Sequence, residues 1–216
     1  MKTLKLLALL ALPLASIECS EDSRVFSIHH WIEVPDGTFV APFFNPKDCT
    51  SDLPWDLTED LSIAAGEIHK ESSIQTMPLV TQITFVLSGS LEVIIKEFED
   101  SSPKILRAEA NEAVLMKPGS LFQLKTGGQE PCKVLYIVSP AYLFEMDQMG
   151  SVTYDDAFIV RESWEQLAEQ QWKPAGLPFL ESLRVAREES YLRLRSIKKG
   201  EAFKSGRDQT DQMQGN

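Results

Sequence analysis

The pattern of hydrophobic and polar residues over residues 82–95 predicts β-strands. β-branched and aromatic residues dominate this stretch, and only Ser-Gly-Ser at 88–90 interrupts it, as in a hairpin turn. The charged stretch 96–103 that follows predicts a solvated loop. Further strand patterns, separated by glycine turns, cover residues 105–115, 121–125 and 133–139. Many short strands at this spacing predict a barrel or sandwich rather than a βαβ sheet.

The chain before residue 82 shows the same pattern in shorter pieces. Residues 24–34 and 37–44 predict two strands joined by a Pro-Asp-Gly turn, and the proline-containing stretch 45–55 predicts a loop. A strand over residues 60–64 that turns at Gly66 would begin the barrel proper.

After residue 156 the spacing of the apolar residues becomes that of an α-helix. Ser163 and Gln166 match a capping box, in which each side chain satisfies a backbone N–H of the other residue. The apolar residues that share a helical face here are Trp164, Leu167, Ala168 and Trp172. Pro178 can begin a second helix that ends near residue 189. We expect these helices to pack on the outside of the barrel.

The last segment gives three further expectations. Residues 191–197 alternate leucine and arginine, which predicts an edge strand, and residues 204–216 are expected to be disordered. Residues 196–210 align without gaps with residues 62–76, and Ser, Ile, Gly, Glu, Lys, Gln and Thr coincide. This similarity is either a remnant of a second barrel's first strands or chance.

Composition narrows the partners of the protein. The chain has 216 residues, and its hydrophobic fraction of 43% and charged fraction of 25% are ordinary for a globular domain. Its net charge is −11. Nucleic acids and anionic membranes attract basic surfaces, so neither is an expected partner. Small molecules remain, and a homodimer is an arrangement that the sequence leaves open.

The N-terminus has the pattern of a secretory signal peptide. Met-Lys-Thr-Leu-Lys supplies a positive region, and the apolar run after it is too short to span a membrane. We expect residues 1–18 to be the leader and the mature protein to be secreted or periplasmic. In such an oxidising compartment Cys49 and Cys132 are expected to form a disulfide, although Cys19 could compete if cleavage retains it.

Two stretches of the strand region resemble the signature motifs of the cupin superfamily, whose members are small double-stranded β-helix (jelly-roll) barrels. Phe-Val-Leu-Ser-Gly at 85–89 is similar to the end of the first motif, with Gln82 at the position of the family's glutamate. The second motif aligns with residues 111–126, where Gly119 matches and Pro118 lies one place late. The resemblance implies a mainly β fold, a cupin-like barrel with C-terminal α-helices.

The resemblance also locates the residues that hold a metal in the family. Gln75 and Met77 stand at the first two histidine positions, Gln82 at the glutamate and Phe122 at the last histidine. Divalent metals prefer imidazole and carboxylate ligands, and this set carries no charge. We therefore predict no metal and no cofactor. The residues predicted to line a pocket for a small neutral or amphipathic ligand, with a sugar as one candidate, are Gln75, Met77, Gln82, Phe122 and Leu124.

A catalytic alternative rests on the few titratable residues. His29, His30 and His69 are the only histidines, and His69 with Glu67 and Glu71 could form an unorthodox site. Sugar-epimerase cupins, which resemble this architecture, pair a histidine base with a tyrosine acid, and the residues available for such roles are Tyr136, Tyr142, Glu67 and Glu92. An isomerase, epimerase or lyase is therefore the alternative to a binding or structural barrel.

These expectations divide the chain into four parts. Residues 1–18 are the leader, 19–156 the cupin-like barrel, 157–190 a helical appendage and 191–216 a tail. Because no catalytic motif is complete, we predict a binding or structural barrel.

Overall fold

The computed structural model describes residues 31–44, 60–98, 100, 102–147, 151–169 and 176–199. The strands are β1 (Ile32–Glu33), β2 (Phe39–Phe44), β3 (Ser62–Ile68), β4 (Gln75–Thr76), β5 (Thr81–Ser88), β6 (Ser90–Lys96), β7 (Lys104–Glu109), β8 (Ala113–Met116), β9 (Leu121–Thr126), β10 (Cys132–Ser139), β11 (Phe144–Met146), β12 (Val152–Asp155) and β13 (Phe158–Ile159). The helices are α1 (Trp164–Glu169) and α2 (Leu177–Lys199).

Two antiparallel sheets build the barrel. One sheet has the order β1-β2-β3-β10-β5-β8, and the other has the order β13-β4-β9-β6-β7. Among the eight strands from β3 to β10, the first pairs with the eighth, the third with the sixth, the second with the seventh and the fourth with the fifth. This is the jelly-roll order. The predicted fold, a mainly β double-stranded β-helix with C-terminal helices, is confirmed.

The inward residues of the two sheets form the main core. Alternate residues of β10, from Cys132 to Val138, are buried, and the facing strand β6 buries Leu91, Val93 and Ile95. This two-residue period is what the sequence pattern predicts for strands with one buried face. Each fully buried Val or Leu stabilises the barrel by about 1.5–3 kcal/mol, so the packed core holds the two sheets together.

Two predicted turns differ from the structure. Gly66 does not end a strand, because β3 continues through it to Ile68. A Cβ at Gly66 would lie 2.3 Å from Cε2 of Tyr136, so the glycine is required by a close approach and not by a turn. Ser-Gly-Ser at 88–90 is a turn, with Gly89 at φ 82°, but β5 and β6 belong to different sheets, so it is not a hairpin.

Lys96 does not belong to the predicted solvated loop. It is the last residue of β6 and is buried, and its Nζ donates a hydrogen bond of 2.8 Å to the carbonyl oxygen of Leu167 in α1. A buried lysine needs such partners because desolvation of its charge is costly. The exposed side chain of Phe98 lies in the connection that follows.

Cys132 is a free, fully buried thiol, so the predicted Cys49–Cys132 disulfide is not formed in this structure. Burial raises its pKa to about 11, which keeps the thiol protonated at neutral pH. The sequence could not show that position 132 faces the barrel interior, where Cys132 lies opposite Ile68 of β3. Cys49, Cys19 and the predicted leader lie outside the described residues.

The helices lie outside the barrel, as predicted. The capping box is formed: the Ser163 N–H donates to Gln166 Oε1 at 2.9 Å, and the Gln166 N–H donates to Ser163 Oγ at 3.4 Å. Leu167 of α1 packs with Ile74 and Leu121 on the outer face of the five-stranded sheet. Among the described residues no helix is long and apolar enough to cross a membrane.

The predicted edge strand over residues 191–197 is wrong, because these residues belong to α2. The reason is visible in burial: Leu194 is buried with Leu183 and Tyr191 at helical spacing, while Leu192 is 40% exposed. In a strand both leucines would face the same side. The first four residues of the apparent repeat at 196–210 are therefore helical, whereas residues 62–68 form β3, and the rest lies outside the described residues.

Candidate ligand-binding site

The five residues predicted to line a pocket all lie inside the barrel. Each is at most 6% exposed: Gln75, Met77, Gln82, Phe122 and Leu124. Gln75 of β4 is the direct cross-strand neighbour of Phe122 in β9, so two of the aligned metal-ligand positions are adjacent. Asn111, at the first glycine position of the second motif, has φ 73°, and Gly119 has φ 79°. Both values suit positions at which the family has glycine.

These residues do not suit a divalent metal. The Gln75 amide donates to Asp36 Oδ2 at 2.8 Å, and the Gln82 amide donates to Thr84 Oγ1 at 3.1 Å. Met77 and Phe122 add a thioether and a hydrocarbon ring, so the set provides no imidazole and no carboxylate of its own. Within the described part of the chain, no group of three His, Cys, Asp or Glu side chains could hold a metal ion.

The alternative site around His69 lies on the barrel surface. His69 Nε2 is 3.3 Å from Glu67 Oε2, its side chain is 46% exposed, and its ring packs edge-to-face on Phe39 at 5.2 Å. Glu67 also lies 3.6 Å from Lys133 Nζ, while the backbone of Glu71 pairs with Lys125. These contacts describe a solvated ion-pair group, and such groups stabilise by only about 0–1 kcal/mol. His29 and His30 lie outside the described residues.

A second set of polar side chains lies on the inner side of the barrel. Its first member is Asp36, in the turn before β2. Asp36 Oδ1 accepts hydrogen bonds from the N–H (2.9 Å) and Oγ1 (2.7 Å) of Thr38, and its carbonyl oxygen accepts from the Ser73 N–H at 2.7 Å. Together with the Gln75 amide, these donors hold the carboxylate toward the barrel. The Pro-Asp-Gly turn, with Gly37 at φ 87°, thus positions an acid between the two sheets.

Tyr136 supplies the second interior group. It points inward from β10 between Ala64 and Thr84, and it is 7% exposed. Its ring occupies the space that the missing Cβ of Gly66 leaves. The hydroxyl lies beside Thr38 but forms no hydrogen bond of normal geometry with any described residue. Burial and the nearby charge of Asp36 raise the pKa of Tyr136, so the group is a protonated donor.

Tyr142 and Asp155 form the third part of the group. Tyr142 follows β10 and packs against the barrel core, and its hydroxyl donates to Asp155 Oδ1 at 2.5 Å. The same oxygen accepts from the Ala157 N–H at 2.9 Å. Burial raises the pKa of Asp155 to about 6, and the charges of Asp156 and Asp36 add to the increase. The Gln75 amide, which bonds to Asp36, lies on the strand that pairs with β13, four residues after Asp155, so Asp36 and Asp155 lie on the same side of the barrel and their like charges oppose each other.

Asp156, the next residue, faces away from the barrel toward α2. Its carboxylate accepts from Arg187 Nε at 3.1 Å, Tyr154 Oη at 2.7 Å and the Leu143 N–H at 2.8 Å. Burial raises the pKa of Asp156, while Arg187 and these hydrogen bonds oppose the increase. Arg187 also donates to the carbonyl oxygen of Ala141. Asp156 therefore anchors the helix, whereas Asp155 belongs to the interior.

The interior group, defined as Asp36, Tyr136, Tyr142 and Asp155, was found only in part from the sequence. The sequence indicates Tyr136 and Tyr142 as candidate acids, whereas the Pro-Asp-Gly pattern indicates only a turn at Asp36 and no motif includes Asp155. Their meeting depends on β2 and β13, which extend the two sheets at the same edge of the barrel. Two adjacent aspartates after a tyrosine were the one available signal, and it does not show which aspartate faces inward.

Comparisons with known proteins give no functional assignment. No family model and no curated protein matches the chain. KdgF from Halomonas sp. is 16% identical with a TM-score of 0.40, over 56% of this chain and 91% of that chain. A double-stranded β-helix protein from Klebsiella pneumoniae is 18% identical with a TM-score of 0.41, over 58% and 91% of the two chains.

A further solved structure is an oxalate decarboxylase from Lactobacillus farciminis, seen in a formate complex. It is 12% identical with a TM-score of 0.43, over 62% of this chain and 33% of that chain. Similarities this low carry no statement about chemistry. The cupin-type barrel stands on the strand order and on the register of the two motifs described above.

Proposed function

We propose that this protein binds a small amphipathic molecule inside the barrel, between the two sheets. The observation that carries the proposal is the Tyr136 hydroxyl, which is buried without a hydrogen-bond partner among the described residues. Such an unsatisfied group costs about 1–3 kcal/mol, and buried polar groups are rarely left in that state. A ligand that accepts this hydrogen bond would remove the cost.

The surroundings of Tyr136 support a ligand that is partly apolar. Met77, Phe122 and Leu124 supply a hydrocarbon and thioether wall, while Asp36 and Asp155 supply acceptors. Small-molecule sites have this composition, with a mostly apolar lining and a few polar groups that fix orientation. The amides of Gln75 and Gln82 already donate within the protein, so they orient other groups more than they bind.

The binding test uses methionine methyl groups labelled for NMR. Met77 belongs to the barrel core, so its methyl signal reports on a ligand in the interior. We expect at least one member of a panel of monosaccharides, polyols, small amines and short carboxylic acids to shift the Met77 signal in the wild-type protein. The signal is assigned with Met77→Leu, a substitution that keeps the volume nearly constant.

Tyrosine variants connect the response to the interior group. Tyr136→Phe removes only the unpartnered hydroxyl, so the fold should be as stable as wild type or slightly more so. Its response to the ligand should weaken. Tyr154→Phe is the matched control, because the Tyr154 hydroxyl bonds to Asp156 outside the barrel. If no compound shifts the Met77 signal, or if both variants respond like wild type, the proposal is wrong.

A second candidate function is metal-independent proton transfer on the bound molecule. The supporting observation is the Tyr142–Asp155 pair, whose carboxyl group has a pKa of about 6, close to the range in which general acids and bases work. An enzyme would convert a hydroxy-carbonyl compound and exchange its carbon-bound hydrogen with deuterium oxide. Asp155→Asn would abolish that exchange, and exchange that persists in the variant would exclude this role.

We also propose that the protein is exported after removal of residues 1–18. The support is the positive region followed by the short apolar run at the N-terminus. N-terminal sequencing of protein collected from outside the cytoplasm of the producing cells should begin after the apolar run. Retention in the cytoplasm with Met1 in place would contradict export.

A further inference from the structure

Four buried or half-buried carboxylates, Asp36, Glu145, Asp155 and Asp156, fall into two classes. Asp156 and Glu145 are buried and each pairs with an arginine of α2, at 3.1 Å to Arg187 and 2.8 Å to Arg193. Asp36 and Asp155 accept hydrogen bonds from neutral groups, and no described residue forms an ion pair with either. Buried or half-buried charges are normally paired, so these two carboxylates stand out.

The two unpaired carboxylates are also close to each other. Asp36 accepts a hydrogen bond from the Gln75 amide at 2.8 Å, and Gln75 pairs in the sheet with Ile159, four residues after Asp155. Burial is the main reason that the pKa values of Asp155, Tyr142 and Tyr136 are raised, and the charge of Asp36 adds to each increase. Like charges in a partly buried site repel each other, and the protein supplies no cation there in its described part. A positive charge bound between them would relieve the repulsion.

We infer that the ligand of the barrel carries a positively charged amine, which binds between Asp36 and Asp155 against the rings of Tyr136 and Tyr142. This inference rests on the proposed function and names the chemical class of its ligand. The tyrosine rings fit the class, because a cation over an aromatic face is attracted by the electrons of the ring. The apolar part of the ligand faces Met77 and Phe122.

An organic cation fits this site better than a metal ion. Among the residues that the structure describes, two carboxylates belong to the site, and divalent ions bound by protein oxygen atoms need more ligands than that. The described residues provide no group of three metal-binding side chains. Aromatic rings favour cations that are weakly hydrated, because such cations lose little hydration free energy on binding, and alkylammonium groups are of this kind. The unpartnered Tyr136 hydroxyl can donate to a ligand oxygen beside the charged centre.

The test compares cations with neutral molecules of the same shape. Choline is paired with 3,3-dimethylbutanol, and glucosamine is paired with glucose, and calorimetry measures the affinity of each at neutral pH. We expect at least one cation to bind about tenfold or more tightly than its neutral counterpart, because charge attraction and ring contact act only on the cation. Equal affinities within both pairs would overturn the inference but leave small-molecule binding intact.

Two adjacent substitutions provide the matched control. Asp155→Asn removes an interior charge and should weaken binding of the preferred cation about tenfold. Asp156→Asn removes a charge of the same type one residue away, on the side of Arg187, and should leave binding nearly unchanged. Calcium and potassium chloride form a further arm: competition by either salt at equal ionic strength would show that the site takes an inorganic cation.

The outcomes separate the two proposals. If no cation binds but a neutral compound shifts the Met77 signal, the charge assignment is wrong and the binding function stands. If neither class of compound binds, both are wrong. If the Asp156 variant loses the cation as fully as the Asp155 variant, the cation does not bind between Asp36 and Asp155.

Discussion

Asp155 and Asp156 are neighbours in the chain but have opposite environments. The Asp156 side chain is 1% exposed and is joined to an arginine of α2, while Asp155 contacts Tyr142, which packs against the barrel core. The paired carboxylate needs its arginine because a buried charge without a partner is strongly destabilising. The unpaired one is tolerated through neutral hydrogen bonds and a raised pKa. The ion pairs of Asp156 with Arg187 and of Glu145 with Arg193 therefore hold α2 on the barrel. The proposed binding site has carboxylates without such pairs among the described residues.

The same contrast extends to Glu145 and Asp36. Burial alone would raise the pKa of Glu145, but the hydrogen bonds from Arg193 hold it below the ordinary value. Asp36 instead accepts from Thr38 and the Gln75 amide. Two arginines on one helix thus neutralise the acids on the outer side of the β11–β12 hairpin. Asp36 and Asp155 have no such arginine among the described residues.

The largest expected effect comes from removing the ion pair between Asp156 and Arg187. Arg187→Met removes the partner of a fully buried carboxylate and should lower the free energy of unfolding by about 3–5 kcal/mol. Arg184→Met, three residues earlier, removes only an exposed pair with Glu181 at 3.9 Å and should cost less than about 0.5 kcal/mol. Urea denaturation of both variants measures the difference. Similar losses in the two would contradict the role given to Arg187.

The next effect concerns the interior side. Gly66→Ala places a Cβ against the Tyr136 ring and should cost about 1–3 kcal/mol, because the ring must move within a packed core. It should also weaken ligand binding. Gly128→Ala is the control, since a Cβ there meets nothing within 4 Å. Thermal unfolding compares the two variants, and a Gly66 variant as stable as wild type would show that Tyr136 does not fill this space.

Asp155→Asn, unlike Gly66→Ala, should raise the free energy of unfolding at pH 7. The pKa of Asp155 is about 6 in the folded state and 3.8 as its ordinary value, so between about pH 4 and pH 6 the folded protein holds the extra proton. Stability from this group is full below pH 4 and is lost as pH rises past 6, by about 2–3 kcal/mol. The variant should lack that loss and should be more stable than wild type at pH 7.

Denaturation at several pH values measures this effect. A variant that is less stable than wild type at pH 7 would mean that Asp155 has a stabilising partner. Asp156→Asn serves as the comparison, because it removes a carboxylate that interacts with Arg187, and it should destabilise the protein.

The smallest effect is expected at the surface. Arg107 lies 3.2 Å from Glu92 across β6 and β7, and its side chain is 73% exposed. Arg107→Ala should change the free energy of unfolding by less than about 0.5 kcal/mol, since exposed ion pairs contribute little. A large loss, measured by urea denaturation under the same conditions as the Arg187 variant, would mean that burial does not decide the value of the ion pairs in this protein.

The strand pattern and the two motifs were enough to predict the barrel, because β-branched and aromatic residues between glycine turns mark the individual strands. The inward direction of Gln75 and Phe122 followed from the same motifs. The end of α2 was not predictable in this way, since Leu-Arg-Leu-Arg satisfies a strand period as well as one turn of a helix. The sequence does not indicate Asp36 and Asp155 as neighbours, because the pairing of β2 with β3 and of β13 with β4 joins residues distant in sequence.

The account depends most on the state of Asp155, and NMR of its side-chain carboxyl carbon measures that state directly, with Asp155→Asn identifying the signal. In the ligand-free protein the carboxyl group should titrate with a pKa of about 6. When the preferred organic cation saturates the protein, the pKa should fall, because the bound charge stabilises the carboxylate. A pKa near the ordinary 3.8 in the free protein, or a value unchanged by the bound cation, would contradict the claim that Asp155 binds a cationic ligand.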